Sequence, residues 1–337
     1  MRSSAKNKIR SISYAKYGYL FILPFFIVYF IFQLVPLINT FKLSLYGNGK
    51  TTLEYVGLQN FKDLLTGVGS RSVVAQHDSF LRVLKNTLIL WFGNFLPQIS
   101  LSLLLAVWFT NIRLKIKGKT FFKIVMYLPN IVTAASVAAL FLQLFSKTKY
   151  GPINSILMSS GLTSGPIDFV TDKWNSRFTI MFAQTWMWFG NTMIMLMAAI
   201  MGISPSLFEA ADIDGATGGQ VFRKITLPLL RPMVVYTLVT SMIGGLQMWD
   251  MPYLYKEGTN FNKHTETIAV YIFNHFHDTP HNYGYSAAAS VILFIITAAL
   301  GSICFAMNVD KDALAKKRQI KEAKKQQKLK TKSFGGF

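Results

Sequence analysis

Apolar and polar residues along this chain sort into six long stretches free of Asp, Glu, Lys and Arg, at positions 18–41, 86–112, 124–146, 178–208, 232–249 and 282–309. Leu, Ile, Phe, Val, Ala and Met dominate each of them. About twenty apolar residues suffice for a helix to cross a bilayer core. Inside hydrocarbon every backbone amide must be satisfied within the protein, which favours helix for each stretch. A seventh uncharged stretch, 150–167, is too rich in Ser, Gly and Pro to face lipid as a helix. Pro24, Pro36, Pro97 and Pro129 fall inside the stretches. Kinks there are tolerable where neighbouring helices cover the freed carbonyls. The pattern predicts an all-α, polytopic bundle of six transmembrane helices.

Composition agrees: 51% of the 337 residues are hydrophobic and 15% charged, against roughly a quarter charged in soluble domains. Location matters more than the net charge of +20. Residues 1–16, the linker 113–123 and the tail 310–337 together hold 17 of those charges. With six spans all three fall on one side, and the positive-inside rule makes that side the cytoplasm, both termini included. The charge is therefore no sign of nucleic acid. The tail is read either as touching anionic lipid headgroups or as a solvated end. The single Cys304 allows neither a disulfide framework nor a cysteine metal site. The first stretch is too long for a signal-peptide core and is expected to be a retained anchor. The organisation expected is a basic cytoplasmic arm (1–16), a membrane domain (17–309) and a basic cytoplasmic tail (310–337).

The inner segment between the fourth and fifth stretches differs from the other cytoplasmic segments because its charges balance. Arg223, Lys224 and Arg231 stand against Glu209, Asp212 and Asp214. Ser206 with Glu209 three residues on has the spacing of a capping box, predicting a short helix over 206–214. Gly215 suits a left-handed helix end, and Gly218-Gly219 extend the bend. A second helical start near Gln220 and a halt near Pro228 are expected. Ala210 and Ala211 keep the contact face small, so that another subunit can approach closely.

At these residues the chain resembles the membrane subunit of bacterial ATP-binding-cassette importers. That family carries Glu-Ala-Ala, three residues, Gly, nine residues and Ile-x-Leu-Pro. Here Glu209-Ala210-Ala211, Gly215 and Ile225-x-Leu227-Pro228 fit without a gap. Further stretches resemble the carbohydrate branch and its larger, maltose-type partner: 56–61 (Val-Gly-Leu-Gln-Asn-Phe), Asn86-Thr87, Tyr127-Leu128-Pro129 and Trp249-Asp250-x-Pro252-Tyr253. The chain departs from the family after Tyr253, where the usual Leu-x-Thr-x-Gly-Gly-Pro is replaced by Leu254-Tyr255-Lys256-Glu257-Gly258-Thr259-Asn260. The resemblance implies a type I importer permease fold, with region 205–228 as a coupling helix seated in an ATPase cleft. It implies coupling contacts from Glu209, Ala210, Ala211, Asp212, Asp214, Gly215, Ile225, Leu227 and Pro228. It also implies a second permease subunit, two ATPase subunits that bind ATP and Mg, and an extracytoplasmic solute-binding protein. The chain itself would hold no cofactor or metal and would not be an enzyme.

A solute crossing the membrane meets polar groups at mid-depth, where they are costly and usually functional. Gln184, Trp188 and Asn191 recur at spacings of four and three and share one helical face. Amides bond hydroxyls and an indole face stacks on ring C–H groups, which suits a carbohydrate. Ser241 and Gln247 are further candidates for the path. The alternative for all five is bonding between helices. Trp186 and Trp249 are read as packing or interfacial residues.

Rival motifs are weaker. Gly47-Asn48-Gly49-Lys50-Thr51 looks like the end of a phosphate loop, but the first glycine is replaced by Ser44 and no strand precedes it. His275, His277 and His281 with Asp278 could hold a metal on a turn, against which a solvated loop is favoured. Two other functions remain as alternatives: a permease for glycerol-phosphate esters, which needs cations near mid-membrane, and a membrane-embedded enzyme or receptor, which needs inward-facing acids or metal ligands.

Overall fold

The computed structural model describes residues 15–48, 53–111, 114, 116–258, 262–277 and 282–307. The chain is overwhelmingly helical. Helix α1 (Ala15–Tyr29) runs through a π turn at Phe30–Leu34 into α2 (Val35–Leu43). A hairpin of β1 (Tyr46–Asn48) and β2 (Leu53–Tyr55) follows, then α3 (Gln59–Thr66) and the 40-residue α4 (Arg71–Thr110). Next come α5 (Lys119–Tyr127), α6 (Ala134–Leu144), α7 (Pro152–Ser159), α8 (Lys173–Met201) and α9 (Pro205–Ile213). The chain closes with α10 (Gly218–Val221), α11 (Leu227–Leu246), α12 (Asp250–Leu254), α13 (Ile268–His277) and α14 (Tyr283–Met307).

Among the described residues, four helical stretches are long and apolar enough to cross a membrane: Tyr17–Leu43, Arg71–Thr110, Gly218–Leu254 and Tyr283–Cys304. The number is six if each of two bent pairs counts as one span. The third uncharged stretch is one of these pairs and not a straight helix. Lys119–Ile131 and Ala134–Leu144 meet at 95°. Pro129 sits in the 3-10 turn Leu128–Ile131, and Thr133 then caps α6 by accepting from the Ser136 amide. The fourth stretch, 178–208, is also divided, because α8 ends at Met201 and α9 leaves at 72°. Helix α4 begins well before position 86, and α11 starts at Leu227 with Arg231 inside it. The rejected stretch 150–167 contains only the eight-residue α7.

Two prolines are absorbed by one device. The π turn Phe30–Leu34 ends two residues before Pro36, and a second π turn, Phe222–Thr226, ends two residues before Pro228. A proline ring clashes with the carbonyl four residues back and offers it no donor. Widening the preceding turn relieves both problems. Pro228 therefore does not halt a helix: the backbone stays helical from Gly218 through Leu246.

Helix α4 is the spine, contributing Val83 and Trp91 to one apolar cluster, Leu90 to a second, and Leu105 and Ala106 to a third. It lies along α8, where small and polar residues set the approach. Gln98 Nε2 donates to Thr192 Oγ1 at 2.8 Å, Ser102 Oγ to the Phe189 carbonyl at 2.7 Å, and Thr185 Oγ1 to the Asn94 carbonyl at 3.2 Å. Outside this bundle, Asn60 Nδ2 ties the hairpin down by donating to the carbonyls of Ser44 and Tyr46. Gly47 and Asn48 of the rival motif belong to β1, and Gly49, Lys50 and Thr51 lie outside the described residues. The first helix packs least: Phe21 is 85% exposed and Tyr19 76%.

Candidate functional site

Helix α9 forms where the sequence places it, with a different start. Ser204 is the cap residue and Pro205 occupies the first turn. A proline there brings a preset φ and no wasted donor. Ser206 caps nothing, its hydroxyl lying 2.8 Å from that of Ser204, so the expected Ser206–Glu209 box is not formed. The capping box stands one element later. The Thr217 amide donates to Gln220 Oε1 (2.8 Å) while Thr217 Oγ1 accepts from the Gln220 amide (3.4 Å). This moves the second helical start to Gly218. Gly215 has φ 68°, and the Ala216 amide reaches back to the Ala211 carbonyl at 2.9 Å, which closes α9 in a left-handed turn.

The two alanines face opposite ways. Ala211 is 7% exposed and packs into its own chain, whereas Ala210 is exposed beside Glu209. Asp212, Asp214 and Gly215 are also exposed. Ile213, which the sequence reading passed over, is 87% exposed on the same short helix. Ile225 is half-buried, and Leu227 and Pro228 are exposed at the start of α11.

A cavity of ≈ 470 Å³ lies between α4, α8, α11 and residues 247–250. Its wall brings together Gln184, Trp188, Asn191, Ser241 and Gln247, all five residues proposed for the path. It adds Asn94 and Gln98 of α4, Thr192 of α8, Tyr236 and Thr240 of α11, and Trp249 and Asp250. Asn94 and Gln98, four residues apart, were legible as an amide pair in an apolar run and were missed. Part of the wall is internally satisfied. Trp188 Nε1 donates to Gln184 Oε1 (3.1 Å), Trp91 Nε1 to Ser241 Oγ (3.3 Å), and Asn191 Nδ2 meets only the weak acceptor Met195 Sδ (3.9 Å). Gln98 spends its amide on Thr192 and so binds helices together. Among the described residues, buried Asn94 Oδ1 and Trp249 Nε1 have no hydrogen-bond partner. Both atoms are closed off from solvent, so neither faces the cavity directly. Asp250 is the one charged residue in the described wall, which holds no Lys or Arg.

No group of three His, Cys, Asp or Glu is placed to hold a metal among the described residues. His275 bonds the Tyr271 carbonyl (3.0 Å) and Gln76 Oε1 (3.0 Å). Asp278 and His281 lie outside the described residues.

Comparison with known proteins agrees with this geometry. Residues 98–314 match the model of a family described as "Binding-protein-dependent transport system inner membrane component". The lactose transport permease LacF of Rhizobium radiobacter is 30% identical over 86% of this chain and 92% of its own length. The arabinooligosaccharide permease AraP of Bacillus subtilis is 29% identical, over 87% of this chain and 90% of its own. Among solved structures, a chain of a bacterial transporter that imports the acidic polysaccharide alginate superposes with TM-score 0.74 at 25% identity. It covers 87% of this chain and 95% of that one. A second structure, of the alginate transporter with a pentasaccharide-bound periplasmic protein, gives 0.73.

Proposed function

We propose, from the premise that this chain belongs to the family of binding-protein-dependent transport inner membrane components, that it is the membrane-spanning permease subunit of an ATP-driven sugar importer and takes a neutral oligosaccharide or glycoside. The chain is a transport subunit and not an enzyme; ATP and Mg are bound by separate ATPase subunits. One observation carries the choice of solute. The five path residues converge on a single cavity whose wall is rich in amides, hydroxyls and indoles. Hydroxyl groups both donate and accept, so a sugar satisfies such a wall, and Trp188 offers an aromatic face. Absence of Lys and Arg from the described wall disfavours glycerol-phosphate esters, whose charge would have to be met by the partner permease.

The remaining assembly is the one that family membership implies. This chain crosses the membrane six times with both termini in the cytoplasm, and it works with a second permease subunit that completes the cavity, two ATPase subunits and an extracytoplasmic solute-binding protein. The bare first helix is covered by lipid and by the partner permease. Glu209, Ala210, Asp212, Asp214 and Ile213 seat α9 in an ATPase cleft, with Gly215 setting its exit. Ala211 and Ile225 hold that region on its own bundle, while Leu227 and Pro228, exposed at the start of α11, complete the coupling surface. Closure of the ATPases on ATP moves α9, and with it α8 and α11, which wall the cavity. That is a free-energy coupling between two sites.

The test is transport by the reconstituted importer carrying Trp188→Ala with Asn191→Ala. Loss of one stacking face and one amide is worth about 1–2 kcal/mol, so the KM for the sugar rises on the order of tenfold. Assembly and unstimulated ATP hydrolysis stay normal. Wild-type KM in that variant would reduce the stripe to interhelical packing. Glycerol phosphate offered instead of sugar is expected to give no uptake.

A further inference from the structure

Outside the cavity, α4, α8 and the segment 262–268 are tied by a cluster centred on Arg177. This residue is only 4% exposed. Its Nε donates to the His264 carbonyl (2.9 Å) and its Nη2 to Asn86 Oδ1 (2.6 Å), and its guanidinium lies 5.0 Å from the Trp174 ring. Asn86 turns its own Nδ2 to the carbonyls of Lys263 (2.9 Å) and Glu266 (3.0 Å). Thr87 Oγ1 accepts from the Ile268 amide (2.9 Å), and Arg82 pairs with Glu266 at 2.9 Å. Thr267 then donates to the Met248 carbonyl (2.6 Å), and Met248 lines the cavity. Burial and the Lys263 and Arg177 charges hold His264 below the ordinary histidine range, so it stays neutral at pH 7.

A buried guanidinium held by an amide oxygen and a carbonyl is an expensive way to gain stability; apolar packing of the same volume would cost less. What it supplies is geometry. Its planar fork fixes two acceptors on two separate elements at once, which a flexible ammonium cannot do. The location gives that geometry a use. Helix α8 has 29 residues, about 43 Å at 1.5 Å per residue. Helix α9 is joined to one end and the Arg177 cluster stands at the other. A displacement entering at α9 reaches the far end of the cavity as a concerted movement only if α8, α4 and the segment after α11 are held together there.

We propose that Arg177 and Asn86 are positioning residues of a rigid clasp that carries the stroke from the ATPase-facing helix to the extracytoplasmic end of the solute path. This rests on the permease reading above, and the experiment separates the two. The whole importer is reconstituted with its binding protein, and sugar taken up per ATP hydrolysed is measured for the wild type and for Arg177→Gln. A wild type that moves no sugar would count against the permease reading. With a working wild type, Arg177→Gln is expected to keep binding-protein-stimulated hydrolysis within about twofold while sugar moved per ATP falls at least about fivefold, the low end of ordinary coupling. Where Arg177→Gln fails to assemble, Arg82→Gln, which releases Glu266 on the rim of the same cluster, is expected to lower the ratio in the same direction. Three results overturn the proposal. The ratio stays at the wild-type value; hydrolysis and uptake fall together with the melting temperature, as for a purely structural residue; or hydrolysis becomes independent of the binding protein, as for a latch that must open.

Discussion

Glu209→Lys combined with Gly215→Pro is expected to lower ATP-driven uptake by about tenfold or more, matching a lost coupling of order 1–3 kcal/mol. Glu209 stands exposed on α9, where inverting its charge leaves the chain's own packing untouched. Gly215 has φ 68°, and its amide donates to the Asp212 carbonyl at 3.1 Å. Proline fixes φ near −65° and has no N–H, so the exit from α9 must be rebuilt and the helix re-aimed. Neither position lines the cavity, which keeps its residues. The expected signature is therefore a fallen maximal rate with sugar affinity unchanged, read in proteoliposomes. Uptake at the wild-type rate would show that α9 carries no work.

Gly190→Val should be the most damaging single change to assembly. A Cβ at Gly190 would lie 2.0 Å from the Met126 carbonyl oxygen and 2.9 Å from Tyr127 Cα, so α8 crosses the end of α5 backbone to backbone. No rotamer relieves that clash. Overpacking typically costs about 1–3 kcal/mol, and more where main chain must move. A melting temperature at least about 5 °C below wild type is expected for the purified assembly, with reduced yield. Gly301→Ala is the matched control, because nothing lies within 4 Å of its Cβ position. An unaltered melting temperature for Gly190→Val would mean that the two helices do not cross so closely.

The segments destined for lipid were legible because hydrocarbon imposes one rule on the whole length of a span. Each of the six uncharged stretches overlaps one of the long helices or bent pairs. What failed was local. The break in the third stretch depends on Pro129 and on the Thr133 cap beyond it, and neither alters hydropathy. The box assigned to Ser206 lost to Pro205, which moved the cap to Ser204, and the same pattern succeeded at Thr217 and Gln220. Pro228 was read as a stop because a π turn leaves no mark in composition.

The cavity wall was half legible. Helical spacing put Gln184, Trp188 and Asn191 together, and Ser241 and Gln247, also named from sequence, line the same cavity. Asn94 and Gln98 were legible as an amide pair, but placing them opposite α8 required knowing that α4 lies along it, a pairing across some ninety positions of sequence. Arg177 was overlooked for a related reason. It sits one residue before the uncharged stretch 178–208, where nothing in composition marks burial, and the fold buries it.

One cross-linking measurement bears most directly on the central claim that work enters through α9. Ile213→Cys in a Cys304→Ser background places one thiol at the most exposed apolar position of that helix. Treated with a short thiol-to-amine cross-linker, the assembled importer is expected to yield an adduct between this chain and an ATPase subunit, with uptake lost as the adduct forms. A chain that forms no adduct with an ATPase subunit while the importer keeps transporting sugar would contradict the account.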